Sequence, residues 1–168
     1  MASIPPETIR IGPCTPESLA MLGPLLCLYR SVETHVLSGL DWAVGVSPSI
    51  RIDADGPCEA LTFFDAGHRP CWQLYLLPDS DYLAWDKVLS TLEDPAPSVP
   101  APKLEQQGWA AIHLAIGNPI WRACVLRLHA VPERNAPCRL AAAQAVLSDA
   151  GLRAAERIAR STGASFRR

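Results

Sequence analysis

Short apolar segments separated by turn residues dominate the chain between residues 25 and 77. The segments read LLCLYRSVETHVL, WAVGV, SIRIDA, EALTFFDA and CWQLYLL, and the turns between them read SGLD, SPS, DADGP and AGHRP. The turns are rich in Gly, Pro, Ser and Asp, which favour chain reversal. Because such short connections join antiparallel strands, the pattern predicts an antiparallel meander of about four to six strands. His35, in the stretch VETHVLSG, is predicted to lie in the middle of a strand.

The segment CWQLYLL alternates between two sets of side chains. One set is Trp72, Leu74 and Leu76, and the other is Gln73, Tyr75 and Leu77. The first set is wholly apolar and the second is mixed, as expected for an antiparallel sheet with one covered side.

A helical period replaces the alternation in PDSDYLAWDKVLSTLE, residues 78–93. Its apolar residues recur every three or four positions, and Asp79 or Ser80 is suited to cap the amino end, where Asp81 complements the positive end of the helix dipole. We expect this helix to cover the sheet. Near the N-terminus, Thr15 in TPES is predicted to begin a short helix that Gly23 and Pro24 end.

The second half of the chain is predicted to mix strand and helix. RACVLRLHAV is expected to be a strand, AAIHLAIG is compatible with strand or helix, and residues 137–161 have the Ala, Leu and Arg content of a helix that Gly151 kinks or divides. Four prolines between residues 94 and 103 indicate an extended crossing. The expected fold class is α+β, a β-meander sheet covered by helices. The expected organisation is a single domain over residues 1–168 with a basic C-terminal helical segment.

Composition and charge narrow the function classes. The 168 residues are 49% hydrophobic and 19% charged, with a net charge of -2, so nothing in the total charge favours nucleic acid or an anionic membrane. Residues 1–103 hold 6 Lys or Arg against 13 Asp or Glu, and residues 104–168 hold 9 against 4. No apolar stretch reaches the ~18 residues of a spanning helix, and the N-terminus does not resemble a secretory signal. We therefore expect a cytoplasmic protein without a membrane or nucleic-acid partner.

Motifs of common enzymes are absent from the sequence. There is no GxSxG, no P-loop, no glycine-rich dinucleotide fingerprint and no HExxH, and the six cysteines show neither CxxC nor zinc spacing. Arg153, Arg157 and Arg160 lie on one helical face, where basic residues near a helix carboxyl end are more typical of a solvated surface than of nucleic-acid binding. On chemistry alone, His35 is either a ligand or a histidine packed in a sheet.

One stretch resembles a known family. FFDAG at residues 63–67 and YLxxxSDxxAW at residues 75–85 are similar to a segment of the bacterial hemin transport and degradation family, of the HemS, ChuS and HmuS type with single-domain ChuX and HutX relatives. LCLYRSVETHVLSG upstream resembles the family's strand pair, in which an arginine-containing strand end leads to a histidine and a glycine turn. The resemblance covers about residues 22–92.

The resemblance implies a heme site and names its residues. The family's proximal heme ligand falls on His35, which makes His35 the expected iron ligand, and Trp42 and Arg51 also fall on family positions. A heme site needs an axial imidazole, a flat apolar slot and cations for two propionates. Trp42, Tyr75 or Trp72 would line the slot, and Arg30, Arg51 or Arg69 would bind the propionates. Arg30 and His35 lie on opposite faces of a regular strand, so a bulge or turn between them would be required.

The expected function is that of a heme-binding protein for intracellular heme trafficking or storage in iron acquisition. A homodimer is expected because single-unit relatives resemble half of the two-repeat enzymes. The alternative is a non-enzymatic interaction or regulatory domain that has lost heme and binds a protein partner. A heme-degrading enzyme ranks third, since the sequence points to neither a distal polar pocket nor an electron donor.

Overall fold

A computed structural model describes residues 14–53, 55–93 and 120–166. The strands are β1 (Pro24–Arg30), β2 (Gly45–Asp53), β3 (Gly56–Phe64), β4 (Pro70–Tyr75), β5 (Trp121–Glu133), β6 (Ala136–Gln144) and β7 (Ser165–Phe166). The helices are α1 (Pro16–Ala20), α2 (Ser38–Asp41), α3 (Tyr82–Glu93) and α4 (Asp149–Thr162). No helix in these ranges is long and apolar enough to cross a membrane.

The strands of the described residues form one sheet of seven strands in the order β2-β3-β4-β1-β5-β6, and β7 pairs parallel with β5 beyond the end of β6. Every other pairing is antiparallel. The predicted α+β class with an antiparallel sheet and covering helices is therefore confirmed.

The first strand does not pair with the second, which departs from a simple meander. β1 lies between β4 and β5, so the chain must cross the ends of β4 and β3 before it enters β2 at the edge of the sheet. Three strand spacings of ~4.8 Å separate the two positions, and residues 31–44 span them as turns and the short helix α2. The prediction that His35 lies within a strand is therefore wrong.

Pro48 lies inside β2, and the turn predicted at SPS is therefore also wrong. Proline lacks the N–H that a central strand must donate, but an edge strand tolerates it. Among the described residues β2 has a pairing partner on one side only, so Pro48 lies in an edge strand. WAVGV and SIRIDA therefore contribute to one strand instead of two.

Both faces of the sheet are covered, which corrects the expectation of one covered side. One buried cluster joins Trp72, Leu74 and Phe63 to Trp85 of α3 and Leu19 of α1. The other cluster packs the opposite face against α4 and includes Leu26, Leu28, Tyr75, Ile158 and Ala159. The polar residues in the mixed set of β4 are thus buried under a helix instead of facing water.

The predicted helix over residues 137–161 is wrong in its first part. Residues 136–144 form β6, which pairs with β5 after a tight turn whose Asn135 has φ of 64°. The alternation of β6 is masked in the sequence because three consecutive alanines, Ala141–Ala143, read neither as apolar nor as polar. The second part is helical, and Gly151 lies in its first turn without dividing it.

The other predicted elements can be compared where the structure describes them. RACVLRLHAV lies in β5, and residues 82–93 form α3 as predicted. The cap of α3 is Asp81, whose carboxylate accepts the Ala84 N–H at 2.9 Å, and not Asp79 or Ser80. Thr15 caps α1 as predicted. The proline-rich crossing at residues 94–103 and the segment AAIHLAIG lie outside the described residues.

Candidate functional site

Two of the predicted arginines meet at one carboxylate. Asp65 follows β3 and accepts hydrogen bonds from the N–H groups of Gly67 and Arg69, at 2.9 and 3.0 Å. The guanidinium of Arg69 contacts the same carboxylate at 3.2 Å, and that of Arg30 at 3.4 Å. Arg30 also donates to the carbonyl oxygen of Pro70 at 3.0 Å. Both side chains are therefore engaged in holding the β3–β4 turn.

The carboxylate of Asp65 is largely buried, and burial alone would raise its pKa. The N–H groups of Arg69 and Gly67 and the charges of Arg69 and Arg30 outweigh burial, so the pKa of Asp65 lies below its usual value. The motif FFDAG at residues 63–67 therefore contains the carboxylate that holds this turn together.

Tyr75 and Arg51 lie on the face of the sheet that α4 covers. Tyr75 is 5% exposed, and its hydroxyl donates to Oε1 of Gln73 at 3.0 Å. Burial raises the pKa of the Tyr75 phenol. Arg51 donates to the hydroxyl of Ser161, in α4, at 3.1 Å. Tyr75 is thus packed in the core.

His35 and Trp42 lie in the connection between β1 and β2. His35 is exposed, and Trp42 is 64% exposed. The N–H of Leu37 donates to Nδ1 of His35 at 3.2 Å. With Nδ1 as acceptor, a neutral imidazole holds its proton on Nε2, whereas a metal-binding histidine donates a hydrogen bond from the nitrogen that does not bind the metal. Coordination through Nε2 would therefore require the other tautomer and the loss of this contact.

A partly open apolar cavity of about 520 Å³ lies beside β5, between the end of β6 and β7. Its walls include Val36, Cys124, Val125, Leu147, Leu152 and Phe166. The volume falls within the range of ~300–1,000 Å³ that small-molecule sites occupy. Val36 follows His35 directly, so the connection that contains the predicted ligand contributes to this cavity.

Cys124 is the chemically distinctive group of the cavity, and sequence reasoning did not single it out. It lies directly opposite Cys27 of β1. The Cys27 thiol donates a hydrogen bond to the Cys124 sulfur, which lowers the pKa of Cys124. The alternation of RACVLRLH could have placed Arg122 and Cys124 on one face, but the strand register that brings Cys27 to Cys124 has no local signal.

The residues fit some requirements of heme and not others. The cavity supplies apolar walls, and His35, which directly precedes Val36 of the cavity wall, has a side chain of the kind that binds heme iron. The arginines predicted to bind the propionates are placed elsewhere, at Asp65 and at Ser161. No group of three or more His, Cys, Asp or Glu residues suited to a bare metal ion occurs within the described ranges.

A second cavity, of about 600 Å³, lies between α4 and the start of β3. Arg153, Arg157 and Arg160 line it together with Asp55 and other acidic residues. Arg157 and Asp55 form an ion pair at 3.7 Å. The basic face of α4 thus meets acidic side chains of the same molecule.

Comparison with known proteins identifies a similar solved structure. No family model matches the sequence, and no curated protein matches it. Among solved structures, the crystal structure of holo-PhuS, a heme-binding protein from Pseudomonas aeruginosa, is similar to this chain with a TM-score of 0.36 and 17% identity. The match covers 68% of this chain and 48% of that chain, so this chain spans about half the length of that structure.

Proposed function

We propose that this protein binds heme in the apolar cavity beside β5 and serves in heme trafficking or storage. The observation that carries the proposal is that Val36, the residue after His35, forms part of the cavity wall. The family-like residues at 63–85 form the end of β3, the turn after it, β4 and the start of α3. A cytoplasmic location and a role in iron acquisition remain part of the proposal.

The chain would hold heme through its apolar walls and one axial ligand. Heme supplies an iron centre that accepts a nitrogen or sulfur ligand. We expect His35 to provide Nε2, with the Leu37 N–H released from Nδ1. Arg122 lies two residues before Cys124 on β5 and therefore on the same face of the sheet, which makes it a candidate partner for a propionate.

Hemin titration of the purified protein tests this proposal. We expect a saturable Soret band for the wild type and a changed band or weaker binding for His35→Ala. His68→Ala is the matched control, because His68 is also exposed but lies at the β3–β4 turn, and it should bind as the wild type does. Ala145 also lines the cavity, so Ala145→Trp would fill it and should abolish binding. The absence of saturable binding by the wild type contradicts the proposal.

Carriage and degradation are separated by adding a reductant under oxygen to the loaded protein. A carrier keeps its Soret band, whereas a degrading enzyme bleaches it and releases a defined tetrapyrrole product. We expect the band to persist.

A second candidate function, an interaction domain, is favoured by β2, which is an edge strand of the sheet that the described residues form. Ile50 and Ile52 are 63% and 86% exposed on one face of it, and an apolar edge without a partner among the described residues is a template for another strand. We propose a second copy of this chain as the occupant, which would give a homodimer.

Self-association tests the interaction domain. We expect sedimentation to show a concentration-dependent dimer that Ile50→Lys/Ile52→Lys abolishes. The control Val146→Lys changes an apolar residue that is even more exposed, at 92%, and that lies between β6 and α4, away from this edge. A monomer at all concentrations, or a dimer that the double variant leaves intact, contradicts the β2 interface.

A further inference from the structure

Cys27 and Cys124 face each other across the middle of the sheet. They are directly opposed partners in the antiparallel register of β1 and β5. Opposed residues in such a pair have Cα atoms ~4.5 or ~5.5 Å apart, depending on their place in the hydrogen-bond pattern. Both separations lie within the ~4.4–6.8 Å that a disulfide requires. The two cysteines are free thiols in the structure.

The two thiols differ in access. Cys27 is wholly buried in the cluster that contains Trp72 and Leu74. Cys124 is partly exposed and lines the apolar cavity, so a small molecule that enters the cavity comes into contact with this residue. An attacking thiol and a buried thiol behind it are the arrangement of a reactive cysteine with a resolving partner.

We propose that Cys124 and Cys27 form a peroxide-sensitive site, in which Cys124 is oxidised first and a disulfide then joins β5 to β1. The inference does not rest on heme binding, since it requires only the strand register and access through the cavity of the heme-free protein. The oxidant is hydrogen peroxide or a small alkyl hydroperoxide.

The pKa values of the cysteine thiols agree with oxidation of Cys124 before Cys27. Burial raises the pKa of Cys14 to about 12 and that of Cys71 to about 11. The pKa of Cys27 is also raised, and burial of its thiol is the largest cause. The hydrogen bond from Cys27 instead lowers the pKa of Cys124, which favours the thiolate that attacks peroxide.

The reaction consumes one peroxide for each disulfide. The Cys124 thiolate attacks a peroxide oxygen, the O–O bond breaks, and the leaving hydroxide or alkoxide takes a proton to give water or alcohol. The product is a sulfenic acid on Cys124. The sulfur of Cys27 then attacks the Cys124 sulfur and loses its proton, and the S–O bond breaks with release of water. Two thiols are thereby oxidised by two electrons, and peroxide is reduced.

Thiol mapping of the full chain tests the proposal. Reduced protein is treated with hydrogen peroxide, alkylated and digested, and its peptides are identified by mass. We expect loss of two of the six free thiols, a Cys27–Cys124 disulfide within one molecule, and recovery of both thiols with dithiothreitol. Cys27→Ala should instead accumulate a Cys124 sulfenic acid that a dione reagent traps.

Cys138→Ala is the matched control, because Cys138 has the same intermediate exposure as Cys124 but pairs by register with neither Cys27 nor Cys124. This variant should form the disulfide as the wild type does. The proposal is overturned if Cys27 and Cys124 of the wild type stay reduced while Cys138 is oxidised. It is also overturned if their disulfide forms only between molecules. Both outcomes are read on the wild type, so they hold even if a variant does not fold.

Discussion

Asp65 holds the turn between β3 and β4 from its centre. Its carboxylate accepts two backbone N–H groups and contacts two guanidinium groups, while its backbone N–H donates to the Arg69 carbonyl. The chain reverses at His68, whose φ of 57° is a left-handed conformation that costs energy for residues other than Gly. Four contacts to one carboxylate stabilise this turn.

Removal of the Asp65 charge should change both stability and its dependence on pH. We expect Asp65→Asn to lower the free energy of unfolding at neutral pH by about 1–3 kcal/mol, because Arg30 loses a partner in a partly buried position. The folded-state pKa of Asp65 lies below its ordinary value. Its contribution is therefore complete above the unfolded pKa of ~3.9 and is lost as the pH falls through the folded value.

Urea unfolding at pH 7 and at low pH measures this effect. The wild type should lose more stability than Asp65→Asn between the two pH values. Asp41→Asn serves as the control, since Asp41 is exposed in α2, and it should lose as much as the wild type. Equal losses in the wild type and Asp65→Asn would show that the charge contributes nothing.

Among the secondary-structure elements, the amino end of α4 is hydrogen-bonded to the connection between β4 and α3. Asp79 accepts the backbone N–H of Ser148 at 2.9 Å and its hydroxyl at 3.0 Å. Gly151 makes room for this contact, because a Cβ at this position would lie 1.8 Å from Oδ2 of Asp79. The glycine is thus required by a neighbour outside the helix.

We expect Gly151→Ala to destabilise the protein, although the same change usually stabilises a helix by ~1 kcal/mol. The new methyl group would displace the Asp79 carboxylate, at a cost of about 1–3 kcal/mol. In an Asp79→Ala background the obstacle is gone, so Gly151→Ala should then be neutral or stabilising. Thermal or urea unfolding of the four proteins in this cycle checks the reversal of sign.

Local patterns predict elements well where their residues are strongly apolar or strongly polar. α3 and the strands β3, β4 and β5 follow from alternation, helical period and turn residues within their own sequence. β6 was not predicted, because its alanines are compatible with a strand or a helix. The segment forms a strand because it pairs with β5. The position of His35 depends on which strands lie beside β1. These strands are β4 and β5, which come much later in the chain, so the residues around His35 carry no signal for this pairing. The pairing of Cys27 with Cys124 was hidden for the same reason.

At the scale of the whole molecule, the Cys27–Cys124 disulfide would close a loop of roughly 100 residues, for which the chain-entropy model gives about 4–5 kcal/mol of stabilisation. We expect the peroxide-treated protein to unfold at a higher urea concentration than the reduced protein, and dithiothreitol to reverse the shift. Cys27→Ala should show no such shift. An unchanged or lower midpoint after disulfide formation would mean that strain in the sheet cancels the entropic gain.

The central position of β1 has a consequence for how the chain folds. The hairpins β2–β3 and β3–β4 join neighbours in sequence, so they can form as soon as residues 45–75 are available. β1 precedes them, yet it contacts only β4 and β5 within the described sheet. It must therefore wait for partners synthesised later, and its closure spans long stretches of chain. Because distant contacts slow folding, the docking of β1 between β4 and β5 is the step we expect to limit the folding rate.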